Sequence, residues 1–136
     1  MDETKDLVPI PILGNIAAGI PIEAVEDILG YAEIPQALAK SGKFFALQVK
    51  GDSMEPGLSQ GDIVIIRRQK HCTNGDIVAA LIGNEETLLK RITKNQKGAI
   101  LASDNPRYEP IFFTNQEILD YPVVILGKLV EVRKSF

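Results

Sequence analysis

Ile77-Val78-Ala79-Ala80-Leu81-Ile82-Gly83-Asn84-Glu85-Glu86-Thr87-Leu88-Leu89-Lys90-Arg91-Ile92 carries the clearest folding signal in the chain. Two aliphatic, β-branched runs, Ile77 to Ile82 and Thr87 to Thr93, flank a turn near Gly83-Asn84-Glu85-Glu86, the pattern of a β-hairpin. A second reversal near Asn95 to Gly98 leads into Ala99 to Ala102, so consecutive hairpins give a meander. Working outward, strand signals recur at Val8 to Ile16, Phe44 to Val49, Ile63 to Arg68 and Val123 to Val132. Gly61-Asp62 and Asn74-Gly75-Asp76 supply turns between them. Pro35 to Lys40 suits one short helix with proline at its first position, and Glu55 to Ser59 a brief helical turn. The expected class is mostly β, with short hairpins and at most one or two short helices.

The chain has 136 residues, enough for one domain that buries about two-thirds of its unfolded surface. Residues 1–7 read as a polar leader or linker and 8–136 as the domain. Hydrophobic residues make up 45% and charged residues 24%, the balance of a globular rather than a disordered chain. No apolar run is long enough to span a bilayer, and Met1-Asp2-Glu3-Thr4-Lys5-Asp6 lacks the character of a signal peptide. A net charge of −3 argues against a basic face for nucleic acid, which the small cluster Arg67, Arg68 and Lys70 does not overturn. One cysteine cannot make an internal disulfide, which fits a cytoplasmic location.

Ser53 and Lys90 carry the chemistry. Ser53 lies in Val49-Lys50-Gly51-Asp52-Ser53-Met54-Glu55-Pro56, where a β-type run is broken by glycine and a hydroxyl falls at a sharp reversal. On the period of a strand, Leu88, Lys90 and Ile92 share one face, which sets the lysine among core-facing neighbours. Burial disfavours the charged amine and drives its pKa down, and a neutral lysine is a base. Serine needs such a base, and a Ser-Lys pair is one recognised arrangement beside the histidine triads. The single histidine and single cysteine, adjacent as His71-Cys72 in a polar segment, suit neither a triad nor a multi-ligand zinc site and read as loop residues near a turn. No metal or cofactor is expected.

Taken with these motifs, the chain resembles the self-cleaving C-terminal domains of LexA-type and lambda-type repressors and their relative UmuD. The resemblance runs from about Pro9 to Val132 and rests on Gly14-Asn15-Ile16-Ala17-Ala18-Gly19, similar to the cleavage segment, Gly51-Asp52-Ser53-Met54, similar to the nucleophile box, and Leu89-Lys90-Arg91-Ile92, similar to the lysine box. It implies Ser53 as nucleophile, Lys90 as general base and then acid, and Ala18–Gly19 as the scissile bond. Separations of 35 residues from Ala18 to Ser53 and 37 from Ser53 to Lys90 resemble those of the LexA group. A small acyl side chain at Ala18 and a glycine on the leaving side also favour close approach of a serine. Ile16 and Ile20 are candidate anchors of the segment, and Asp52 is read as tolerated variation rather than a third catalytic member.

The resemblance further implies a β-rich, LexA/signal-peptidase-like fold, a homodimer, and activation by the RecA filament on single-stranded DNA during DNA damage. DNA contact would come through a helix-turn-helix domain absent from this chain, which is then either a repressor fragment or a stand-alone UmuD-like protein. Alanine before the glycine favours the repressor group, since UmuD-like sites often have cysteine there. Taken singly, each motif has a simpler use: Ser53 as a turn serine capping a short helix, Lys90 as an edge lysine with its amine in water, and Ala17 to Pro21 as a turn between strands. Rival functions are a type I signal peptidase, which requires a membrane anchor, and a dimerisation module that retains the motifs without turnover.

Overall fold

The apolar runs at Phe44–Gln48, Ile63–Arg68 and Ile77–Ile82 are buried almost continuously, as central strands covered on both faces are. In the computed structural model, which describes residues 6–17, 19–83, 86–120 and 123–135, nine strands form one open sheet in the order β2-β1-β3-β4-β9-β5-β6-β7-β8. The strands are β1 Leu7–Leu13, β2 Ile28–Pro35, β3 Phe44–Gln48, β4 Ile63–Arg68, β5 Ile77–Ile82, β6 Glu86–Asn95, β7 Gly98–Ala102, β8 Ile111–Thr114 and β9 Val123–Arg133. Two short helices, α1 Gln36–Ala39 and α2 Asn115–Asp120, complete the elements with one 3-10 turn at Ile22–Ala24. The mostly β expectation holds. Among the described residues no helix is long and apolar enough to cross a membrane. Residues 1–5 of the expected leader and Ala18 of the expected scissile bond lie outside the described residues.

The meander β5-β6-β7 is present with its register pinned: Val78 pairs with Lys90, and Arg91 with Ala102. Strand β9 pairs antiparallel with both β4 and β5 and so joins the two halves of the sheet. Its Gly127 is required, because a Cβ there would lie 2.2 Å from the Arg67 carbonyl oxygen, far inside contact distance. One apolar cluster gathers Leu13, Ile16, Phe45, Leu47, Met54, Leu58 and Val64, and a second gathers Val78, Ala80, Ile92, Leu101 and Phe113.

Several sequence expectations shift. The first strand ends at Leu13 rather than Ile16, because the Gly14 N–H donates to the Asp27 carbonyl (2.8 Å) and the Asn15 N–H to the Asp27 carboxylate (2.7 Å), turning the chain out of the ladder. Strand β2 was not expected, since Gly30 and Pro35 interrupt its pattern; its pairing with β1 and the burial of Ala32 and Ile34 stabilise it. Strand β8 and helix α2 were also not anticipated. The stretch Glu55 to Ser59 makes hydrogen-bonded turns that extend into no helix, one of them closed over four residues by Leu58 N–H donating to the Met54 carbonyl at 3.0 Å. His71 and Cys72 lie in the loop before the Asn74-Gly75 turn, as expected; Cys72 packs from it at 5% exposure into the second cluster, while His71 stays exposed.

Candidate active site

The Ser53 loop is a long connection between β3 and β4 whose base is closed like a ladder. Val49 N–H donates to the Asp62 carbonyl (2.8 Å), and Gly61 N–H donates back to the Val49 carbonyl (2.9 Å). Gly51, at φ +72, supplies the left-handed reversal that an ordinary side chain would strain. Beyond it Met54 and Leu58 plug into the first apolar cluster at 2% and 3% exposure. Ser53, between the reversal and the plug, stays half-buried. Two apolar anchors thus hold a polar tip at the surface.

Lys90 comes from the middle of β6, on the face it shares with Val78 and Ile92. It is 8% exposed, as the strand period predicts for its place beside the core, and Leu88 is half-buried. Burial holds the amine below the usual lysine pKa, opposed by the Glu86 carboxylate on the same strand. Its Nζ donates to Ser103 Oγ at 2.7 Å and stands 5.9 Å from the centre of the Tyr108 ring. Among the described residues no hydrogen bond joins Lys90 directly to Ser53.

Residues 103–108, which follow β7, link the serine and lysine surroundings. Ser103 accepts from Lys90, while Asn105 N–H donates to the Ser53 carbonyl and Asn105 Nδ2 to the Asp52 carbonyl, both at 3.0 Å. Between them, Asp104 N–H donates to Met54 Sδ (3.4 Å), and its carboxylate takes Arg91 Nε and Nη2 at 2.9 and 2.8 Å. Tyr108 donates its hydroxyl proton to the Asp52 carboxylate, which raises the tyrosine pKa. Arg91, next to the lysine, therefore fixes the segment that reaches the serine. None of Ser103, Asp104, Asn105 or Tyr108 was singled out from the sequence. Ser-Asp-Asn-Pro reads locally as a generic turn, and only strand pairing shows what it touches.

Residues 14–27, the loop that contains the expected cleavage segment, run between β1 and β2. Asp27 holds its start, and Glu23 tethers its 3-10 turn to β4 through Arg68, with Lys43 3.6 Å away. Ile16 is buried in the first cluster at 6% exposure, whereas Ile20 is 45% exposed, so one of the two expected anchors is seated. Leu13 to Ile16 line a cleft of about 180 Å³ with Ser53, Met54 and Leu88. Ala17, Gly19 and Ile20 line a different cleft, with Arg68, Lys70 and Leu126. In this arrangement Gly19 and Ser53 face separate depressions. No group of three or more His, Cys, Asp or Glu placed to hold a metal ion occurs among the described residues.

A sequence model of the Peptidase S24-like family matches residues 11–130. The chain is 42% identical over 128 residues to the LexA repressor of Pelagibacter ubique, covering 93% of this chain and 55% of that protein. It is 39% identical over 136 residues to the LexA repressor of Geobacillus kaustophilus, covering 98% of this chain and 62% of that protein. The LexA repressor of Pelotomaculum thermopropionicum is 39% identical over 128 residues, 93% of this chain and 63% of that one. The chain thus spans roughly three-fifths of the length of these relatives.

Proposed function

This chain belongs to the Peptidase S24-like family, and on that premise we propose that it is the peptidase domain of a LexA-like repressor that cuts its own Ala18–Gly19 bond. The observation that carries the proposal is the shared segment after β7, which hydrogen-bonds Lys90 through Ser103 and Ser53 through Asn105. A buried lysine with a lowered pKa is a base at less alkaline pH than a solvated one.

Neutral Lys90 takes the Ser53 hydroxyl proton as Oγ attacks the Ala18 carbonyl carbon. The tetrahedral oxyanion is received by backbone N–H groups at the Ser53 reversal, where loss of one donor costs about 2.7–4 kcal/mol of transition-state stabilisation. The C–N bond breaks as protonated Lys90 returns its proton to the Gly19 nitrogen. Water then gives its proton to Lys90, its oxygen displaces Ser53 Oγ from the acyl carbon, and the proton goes back to the serine.

For this to happen Gly19 must leave the cleft it shares with Arg68 and Leu126 for the one lined by Ser53. A partner accelerates cleavage by binding the rearranged state better than the tethered one. The RecA filament on single-stranded DNA is the partner proposed, damage-triggered derepression the outcome, and a homodimer the working assembly.

Incubation of the pure protein from neutral to alkaline pH, with intact-mass measurement, tests this directly. An 18-residue piece and a remainder beginning at Gly19 are expected. A cut elsewhere, or none at high pH or with RecA filament, sinks the assignment.

A further inference from the structure

Lys90 reaches its place on a long flexible stem, and a buried base must also aim its lone pair. We propose that Ser103 is a positioning residue for the reaction, holding one N–H of the Lys90 amine so that the lone pair faces the Ser53 hydroxyl. The inference rests on the reading of Lys90 as the base.

Sheet register carries it. Arg91 pairs with Ala102 across β6 and β7, so the next residue past the end of β7 falls opposite Lys90. Ser103 Oγ there accepts from Nζ at 2.7 Å. Its backing is stiff, because Asp104 is held through both carboxylate oxygens by Arg91, and Asn105 N–H bonds the Ser53 carbonyl. A hydroxyl that moves with the serine loop is thus fixed to the lysine. The groups facing the amine are otherwise of different character. Val78 on β5 is apolar, Tyr108 offers its ring, Glu86 lies along β6, the Asp104 charge is paired with Arg91, and the Asp52 carboxylate is engaged by Tyr108.

The chemistry gives this role a signature of two opposed signs. Neutral lysine keeps two N–H bonds and one lone pair, so a hydroxyl oxygen accepting one N–H leaves the lone pair for the nucleophile. The same oxygen stabilises the ammonium form, which favours protonation. Removing it therefore makes the amine easier to deprotonate and yet worse aimed. A residue with a merely structural role lowers the rate without moving the titration.

The test compares the parent with Ser103→Ala and Ser103→Thr in self-cleavage across pH. In parallel, the Lys90 side chain is titrated by NMR in the non-cleaving Ser53→Ala background. Ser103→Ala is expected to lower the alkaline plateau roughly 10- to 100-fold, as misplaced catalytic groups do. Its midpoint and the NMR titration of Lys90 both move to lower pH, and Ser103→Thr restores rate and midpoint. Parental rate and midpoint in Ser103→Ala overturn the inference. So does a lowered rate with the Lys90 titration unmoved, or an alanine variant whose defect threonine does not repair. Failure of the reading beneath it shows separately, as a Lys90→Ala protein that still cleaves at the parental rate.

Discussion

Asp62 and Lys90 are the two charged side chains withdrawn from water among the described residues, at 1% and 8% exposure, and their surroundings differ in kind. Asp62 is saturated: Lys134 Nζ reaches it at 2.8 Å, and the Ser59 and Ser135 N–H groups donate at 2.9 and 3.0 Å. These partners, Lys134 foremost, hold its carboxyl at about 2. Lys90 has one neutral hydroxyl and an aromatic face, and burial pushes its pKa down. One site stabilises its charge and the other disfavours it. A fully paired buried charge fastens parts of the chain, here the C-terminal end to the loop carrying Ser53. A charge left poorly compensated is held ready to change protonation state.

The largest expected effect separates the two sites by activity. Lys90→Ala, like Ser53→Ala, should lower self-cleavage by on the order of 10⁴-fold or more, since members of one catalytic unit each remove most of the rate. The fold should persist by circular dichroism. If either variant cut at the parental rate, the contrast would lose its catalytic half.

Stability reverses the ranking. Asp62→Ala leaves Lys134 and the two N–H groups without their shared acceptor and should melt below the parent. Lys90→Met, replacing a poorly compensated buried charge by an apolar chain of similar length, should melt higher by about 3–5 °C, the response of a domain this size to ~1 kcal/mol. Calorimetry of both variants decides, and Lys90→Met melting lower than the parent would refute the claim that the native state disfavours this charge.

Dependence on pH sharpens the comparison from both ends. The stability that Asp62 contributes is present above its unfolded pKa, about 3.9, and is lost as pH falls through about 2. For Lys90 the native state binds fewer protons than the unfolded chain between its lowered pKa and about 10.4, so stability rises with pH across that window. Self-cleavage should rise over the same range and level off once the amine is neutral. A melting temperature that climbs with alkaline pH in the parent but not in Lys90→Met is the expected signature.

The smallest effect concerns the tether of residues 14–27. Glu23→Ala releases Arg68 and Lys43 and should raise partner-free cleavage by roughly 2- to 5-fold, because surface ion pairs bias such equilibria only weakly. A slower variant would mean that the tether helps to present the bond.

Strand positions were readable where an apolar run is continuous and bounded by turn residues. Ile63–Arg68 and Ile77–Ile82 match their expected limits, because aliphatic runs without Gly or Pro leave little competition. Strand β2 was hidden because Gly30 and Pro35 depress local propensity and only pairing with β1 compensates. The short β8 was hidden too, its Ile111 and Phe112 exposed and only Phe113 buried. Ser53 and Lys90 stood out through their immediate neighbours. Ser103 and Asn105 did not, for their significance lies in partners 13 and 52 residues away.

The mostly β class, the meander, the candidate nucleophile and base, and the burial of Lys90 follow from neighbouring residues, since period-2 patterning and turn chemistry are local properties. Long-range packing made β9 join the halves of the sheet, saturated Asp62 but not Lys90, and brought the segment after β7 to both serine and lysine. It also decided that Gly19 rests in a cleft apart from Ser53. These depend on long-range pairing and on which polar groups meet once solvent is excluded, and neither is written in the neighbours of any one residue.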